Sequence, residues 1–236
     1  MPHFSACQAP RRRARAAALL LCAVAAAPAF AKCGDPPGSG VDWSGCEVRH
    51  LILRGADLSK GRFAGADFGR SDLANANLAG ADLSDATLDN ARFAHANLNR
   101  AKLAKASAAR TDFRDANLAG ADLAKSEMPR ADLRGANLSG AILTKGDFGR
   151  ADLRGARLEG ASLVRADLAR AELGGANVRG ADLSDASLYR TQLQGVDLSG
   201  SLGLTQRHVD AACGDARTRL PAGLKHPASW PCAPED

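Results

Sequence analysis

The sequence predicts a solenoid built from short stacked units, and three observations predict it. From Leu51 to Gly200 the chain runs in 30 five-residue units without insertion or deletion. The third residue of each unit, its centre, is Leu, Phe, Val or Met everywhere except at Ala108, and from Ala56 to Thr191 the residue two before it is Ala, Gly, Ser or Thr. Aromatic residues make up only 4% of the chain, too few to fill the core of an ordinary globular domain of this length. Neither a 3.6-residue helix nor a period-2 strand holds a five-residue apolar beat on one face for so long. A strict short period means that each unit buries its apolar side chain only by stacking on its neighbours.

The pattern A-(D/N)-L-x-x, as in Ala76-Asn77-Leu78-Ala79-Gly80 and Ala131-Asp132-Leu133-Arg134-Gly135, resembles the pentapeptide-repeat family. The resemblance implies an all-β fold, a right-handed quadrilateral parallel β-helix in which four units make a square coil of 20 residues. The centre and the small residue two before it would point inward, and the other three would face water.

In chain order, residues 1–31 read as a secretory signal. Arg11, Arg12, Arg13 and Arg15 precede an apolar run from Ala16 to Phe30, and Ala29-Phe30-Ala31 forms a small-residue cleavage site. The run is short and Ala-rich for a membrane span. Leu21 is too bulky for the position before a lipoprotein cysteine at Cys22, and of a twin-arginine signal only the arginines are present. The whole chain carries 31 basic and 26 acidic residues; without the four arginines of the leader, 27 oppose 26. The pI of about 9.1 therefore belongs largely to the leader. It gives no support to nucleic-acid binding, which wants a concentrated basic excess.

Residues 32–50 read as a turn-rich N-terminal cap, and 201–236 as a C-terminal cap. Trp43 is expected to cover the first open cross-section of leucines, with Leu51 filling a small-residue position there. Beyond Gly200, residues 204–214 read as a short helix with Thr205 as N-cap and Gly214 just past its end, and Val196 is expected to anchor this cap. The segments around Gly203-Leu204-Thr205-Gln206 and Leu220-Pro221-Ala222-Gly223-Leu224 are similar to a terminal segment of other bacterial pentapeptide-repeat proteins. Four cysteines, Cys33, Cys46, Cys213 and Cys232, lie outside leader and repeats, two at each end. Pairing within each end is the economical arrangement, because about 7.5 coils at ~4.8 Å hold the two ends roughly 36 Å apart. A zinc site is the alternative, and neither end shows C-x₂-C spacing.

A 20-residue coil places residues 20 apart in columns. Arg70, Arg110, Arg130, Arg150, Arg170 and Arg190 share one corner with Asn90, and Lys105, Lys125, Lys145 and Arg165 share a second. These are the candidate binding residues for a polyanion. Columns two residues further on hold Asp112, Asp132, Asp152 and Glu172 beside the first corner and Glu127, Asp147 and Asp167 beside the second, so two exposed ion-pair ladders are the competing expectation. Asn77, Asn97, Asn117 and Asn137 predict an amide ladder. Ala108 beside Met128, with Pro129 in the same neighbourhood, predicts a weak seam over residues 104–130.

No catalytic, cofactor or metal constellation appears. His50, His95, His208 and His226 fall at unrelated lattice positions, and there is no phosphate loop or dinucleotide fingerprint. The expectation is a non-enzymatic, periplasmic or secreted β-solenoid offering a rigid surface to a protein or an anionic envelope polymer. No nucleic-acid partner and no membrane span in the mature form are expected, and a purely structural envelope scaffold is the alternative. Some members of the resembled family bind DNA gyrase as duplex mimics; that mechanism needs an acidic surface and a cytoplasmic address, and an export signal with near-neutral mature charge argues against both. The leader reading predicts Lys32 as the mature N-terminus, since Ala29 and Ala31 satisfy the small-residue rule. Intact-mass analysis of exported protein checks this, and a retained leader would refute it.

Overall fold

The structure is a computed structural model that describes residues 33–232; the leader lies outside the described residues. Every unit repeats one short hydrogen-bonded motif. Its second residue forms a parallel β-bridge to the residue 20 further on, in unbroken succession from Asp42↔Arg62 to Glu172↔Gln192. The centre's carbonyl then accepts from the N–H three residues later, as in Ala76 N to Leu73 O at 3.0 Å, and this closes a corner turn. Four corners return the chain above its start. The result is a right-handed quadrilateral β-helix, with strands too short to be more than single bridges.

The turn pattern begins at Val41, two units upstream of Leu51, so residues 41–50 are coil and Trp43 and Val48 are themselves centres. Counted from there, residues 41–200 form eight coils of four units. Centres and small residues make one continuous core; Leu58 through Leu173 are at most 1% exposed at every centre. Where a centre is Phe, a Gly two residues earlier can be obligatory. A Cβ at Gly61 would lie 2.3 Å from the Phe63 ring, and one at Gly146 would lie 2.6 Å from Phe148. Three buried hydroxyls at small positions return their hydrogen bonds to the coil beneath: Ser71 Oγ donates to Val48 O at 2.8 Å, Thr111 Oγ1 to Leu88 O at 2.7 Å and Thr191 Oγ1 to Leu168 O at 2.7 Å.

The frequent Asp or Asn at the second position has a local reason. Its Oδ1 accepts the N–H two residues on, the first of the turn's two central groups, as in Asp122 to Ala124 at 2.9 Å and Asp147 to Gly149 at 2.8 Å. Where four such residues are Asn, their amides also link coil to coil. Asn97 Nδ2 donates to Asn77 Oδ1 at 3.0 Å, Asn117 to Asn97 at 3.3 Å and Asn137 to Asn117 at 3.1 Å.

Pro129 does not break the ladder as its missing N–H suggests. It occupies the first central position of a turn, where Pro suits the required φ, and that N–H takes no part in the ladder in any unit. Through this region Ala108 N donates to Glu127 O at 2.7 Å and Met128 N to Asp147 O at 2.7 Å, no longer than elsewhere. The turn bonds that follow Ala108 and Met128, 3.3 and 3.2 Å, are slightly stretched. Phe93 and Phe113 stack at 5.1 Å between centroids, 17° from parallel.

Each end is closed by a disulfide within that end: Cys33–Cys46 with Cα atoms 5.6 Å apart, and Cys213–Cys232 at 5.4 Å. Trp43 is 2% exposed against Phe63 and Phe68, and its Nε1 donates to Asp35 O. Leu51 and Ile52 remain exposed on the first coil, where no coil lies outside them. At the other end α1 (Gln206–Ala211) follows N-cap Thr205, whose backbone N–H donates to His208 Nδ1 at 3.0 Å. The helix stops before Gly214 because Ala212 is already extended, drawing Cys213 into a bridge with Gln192. Gly214 serves packing instead: a Cβ there would lie 2.4 Å from the Trp230 ring. Val196 is buried and accepts from Arg219 N at 2.9 Å, anchoring the cap as expected.

One carboxylate ties this cap together. Asp215 Oδ1 accepts from Gly195 N at 3.0 Å, Arg217 N at 3.0 Å and Thr218 N at 3.1 Å. Burial raises its pKa, but the Gly195 bond and then those from Arg217 and Thr218 outweigh this and pull it from 3.8 down to about 2. A depressed carboxylate stabilises the fold above its ordinary value, and that contribution is lost as pH falls from about 4 towards 2. Melting temperature should therefore drop across this window, and Asp215→Asn should lower it at neutral pH while flattening the acid dependence. Thermal unfolding scans of both proteins check this; parallel acid profiles would contradict it.

Candidate functional site

All ten basic residues singled out from the sequence occupy the same place in their units, the fifth, which closes the corner turn. There the backbone is left-handed, with φ between 54° and 60° at each of the ten. An L-residue in this conformation costs roughly 1–2 kcal/mol relative to its preferred region, and Gly is the natural occupant. Glycine does fill most of two corners, at Gly120, Gly140, Gly160 and Gly180 in one and Gly135, Gly155, Gly175 and Gly195 in the other. The corner from His50 to Arg190 contains none. The two cationic corners flank a single side of the coil, the one whose centres run from Val48 to Leu188.

Between them lies a shallow groove of about 400 Å³. Ala109, Pro129, Gly149 and Ala169 form its floor, Arg110, Arg130, Arg150 and Arg170 one wall, and Asp147 also lines it. Successive arginines are one coil apart, about 4.8 Å, so the four cover ~14 Å in a straight line. Tyr189 stands in the floor column beyond Ala169, 54% exposed, with the Arg170 guanidinium 5.8 Å from its ring centroid.

The expected ion-pair ladder beside the first corner does form, with other cations. Asp112 pairs with Arg114 at 2.8 Å, Asp132 with Arg134 at 2.6 Å and Asp152 with Arg154 at 2.5 Å. Each arginine also reaches the next coil: Arg114 to Asp132 at 3.6 Å, Arg134 to Asp152 at 3.5 Å, and Arg154 to Glu172 at 3.1 Å. In these triplets, Asp-Phe-Arg once and Asp-Leu-Arg twice, the two charges are two residues apart on one side of an extended segment, so they meet directly. The corner arginine belongs to the preceding turn and is out-competed. The Arg114 hydrogen bond, against the opposing effect of burial, holds the Asp112 carboxyl below its ordinary value.

Among the described residues, Arg110, Arg130 and Arg150 have no carboxylate within ion-pair distance, and the same holds for Arg70, Lys125 and Lys145. At the second corner, Lys105 approaches Asp85 at 3.9 Å and Arg165 approaches Asp185 at 3.5 Å. Glu127, Asp147 and Asp167 form no ladder with the lysines; Asp147 and Asp167 cap the N–H of Gly149 and Ala169 instead. The groove thus joins four members of the first stripe and leaves the second across the coil face from it. Its small-residue floor and Tyr189 were missed in the sequence; reading the fourth position of each unit down its column, Ala-Pro-Gly-Ala-Tyr, supplies the signal.

The described residues contain no group of three or more His, Cys, Asp or Glu suited to a metal ion, and no helix among them is long and apolar enough to cross a membrane. A coil stack with these properties is a β-solenoid that presents columns of side chains at a fixed rise. The chain belongs to the pentapeptide-repeat family: the profile of that family, described as pentapeptide repeats, matches in eight copies over residues 52–90, 66–103, 96–135, 131–170 and 161–200. No curated protein matches. Among solved structures, the chain is similar to HetL, a pentapeptide repeat protein involved in heterocyst differentiation regulation from the cyanobacterium Nostoc, at 30% identity over 78% of this chain and 90% of that one, with a TM-score of 0.45. A pentapeptide repeat protein from the thylakoid lumen of Arabidopsis thaliana is 34% identical over 47% of this chain and 66% of its own, TM-score 0.21. A trypsin-treated form of QnrB1, a plasmid-mediated fluoroquinolone resistance protein, is 20% identical over 77% and 88%, TM-score 0.39.

Arginine at a glycine position makes a direct prediction. Replacing Arg110, Arg130 or Arg150 by Gly removes left-handed strain and adds unfolded-state freedom, a balance that should stabilise by about 0.5–1 kcal/mol each. Urea unfolding of the three single variants measures it. Destabilisation by all three would mean that the arginines hold the coil together.

Proposed function

We propose that the protein is an exported, non-enzymatic binding module whose arginine-lined coil face holds an anionic polymer of the cell envelope. The observation that carries this reading is the corner occupied by Arg110, Arg130 and Arg150. These side chains take a strained backbone position that glycine fills elsewhere, and lie beside a carboxylate ladder that they do not join. Cations stacked at one strand spacing repel each other, and a polyanion laid along the groove relieves that repulsion. The small-residue floor lets such a chain approach closely.

Export rests on the leader-like residues 1–31 and agrees with a disulfide at each end of the stack, since such bonds persist in oxidising compartments. The domain reading is leader, N-terminal cap, repeat stack and C-terminal cap. With no catalytic constellation in the sequence, the work assigned to the chain is recognition. A structural scaffold is the second reading, favoured by the Asn77-to-Asn137 amide ladder and the Arg114-to-Arg154 ion pairs, which brace the coils without any ligand.

Titration of the purified protein with fluorescent polygalacturonate and with polyphosphate tests the two readings. Binding of either should weaken at least about tenfold, ~1.4 kcal/mol, in the triple Arg110→Ala, Arg130→Ala, Arg150→Ala variant and fall with added salt. The Arg114→Ala, Arg134→Ala, Arg154→Ala variant should bind as the parent does. No binding of either polymer at low salt would leave the scaffold reading standing.

A further inference from the structure

Above the eighth coil the ladder on the arginine-bearing side stops for one residue and then resumes. On this side of each earlier coil, one residue of the next coil fills two backbone groups at once. Ser187 donates its N–H to Ala166 O at 2.9 Å and accepts from Leu168 N at 2.9 Å; Asp167 does the same for Gly146 and Phe148. The residue due above Ser187 is Arg207, and it lies in α1. Ala186 C=O and Leu188 N–H therefore have no partner among the described residues, while two residues on Arg190 N already donates to Ala211 O at 2.7 Å and Gln192 bridges Cys213.

The interruption opens onto a cavity of about 480 Å³ between the coil edge and α1, lined by Leu188 and Tyr189 below and Arg207 and His208 above. Ala186 and Leu188 line this cavity and are 4% and 3% exposed, against 1% and 0% for Ala166 and Leu168 one coil earlier, so this edge is slightly more open. Nearly buried backbone groups left unpaired are rare in folded chains and expensive.

We propose that this break is a docking site for an extended peptide segment of a partner protein, which adds a single parallel β-bridge above Ser187. One acceptor and one donor, set by the strand beneath, complement the N–H and C=O of one amino-acid residue. A carboxylate or phosphate, which only accepts, satisfies Leu188 and leaves Ala186 unpaired. The backbone thus selects a peptide, and the cavity selects its side chains. The bridging residue stacks on Ser187 at one strand spacing under the roof of α1, which favours a small polar side chain. Exposed Tyr189 offers an apolar surface to the residue two further on.

The test uses an acetylated, amidated heptapeptide with the sequence of residues 184–190, the strand this edge would stack upon itself, and amide hydrogen exchange of the purified protein. Without peptide, Leu188 should exchange at least about tenfold faster than Leu168. With the peptide at about 1 mM, its exchange should slow at least tenfold, and an analogue carrying N-methylserine at the bridging position should give no slowing. The arginine triple variant should respond as the parent does, which separates this site from the polyanion groove. The proposal is overturned if Leu188 is as protected as Leu168 in the free protein. Equal protection by the N-methylated analogue overturns it too, as does protection that rises with protein concentration alone, which would place a second copy on the edge.

Discussion

Everything in this structure hangs on one hydrogen-bonding arrangement: a single parallel bridge per unit, repeated every 20 residues and stacked with one apolar centre inward. Because each unit contributes only one bridging residue, no strand is long enough to be stable alone, and a coil exists only against its neighbours. The inward side must then be narrow and regular. That is why the position two before the centre is Ala in most units, and why Gly61 and Gly146 precede phenylalanines whose rings lean back over them. The same arrangement makes the outer surface a lattice, in which side chains 20 residues apart meet at one strand spacing.

On such a lattice, charge is organised by the geometry of a single unit before it is organised between coils. Asp and Arg two residues apart on the same side of an extended segment pair within their unit and then reach the adjacent coil, which builds the ladder through Asp112, Asp132, Asp152 and Glu172. A corner residue has no such local partner. Its left-handed backbone carries a conformational cost for any residue with a Cβ, a cost the structure bears with arginine along one corner and avoids with glycine along most of two others. The ladder is a device for cohesion, whereas Arg110, Arg130 and Arg150 at the corner have no carboxylate within ion-pair distance among the described residues.

The ends follow from the same ladder. A coil with nothing beyond it exposes both its leucine cross-section and its bridging groups. Trp43 closes the first cross-section, and at the other end Val209, Ala212 and Cys213 are buried over the last coil. The C-terminal cap is an imperfect coil, bridging at Leu202, Cys213 and Arg219. Between the first two of these bridges the chain makes a helix, so one side of the square is left open.

The five-residue beat was sufficient to read a solenoid with buried centres, and the 20-residue coil that the family resemblance implies then placed the asparagine ladder, the within-end cysteine pairs and both cationic columns. The beat was less informative at its edges. Val41 to His50 has the corner turns and bridges of the repeats, but Trp43 and Cys46 disguise the pattern, so the first two units passed for a cap. Pro129 looked like a break until the structure placed it where the ladder uses no N–H. Partner choice among charges was beyond the sequence too: columns show which residues are neighbours, and only the tertiary structure decides between a carboxylate two residues away on a straight segment and one across a corner. The groove and the open bridge above Ser187 were invisible for the same reason. Both are made by what is missing at a lattice position, a side chain in the floor column and a strand residue above the eighth coil, and absence at a position becomes a site only once the coils are stacked.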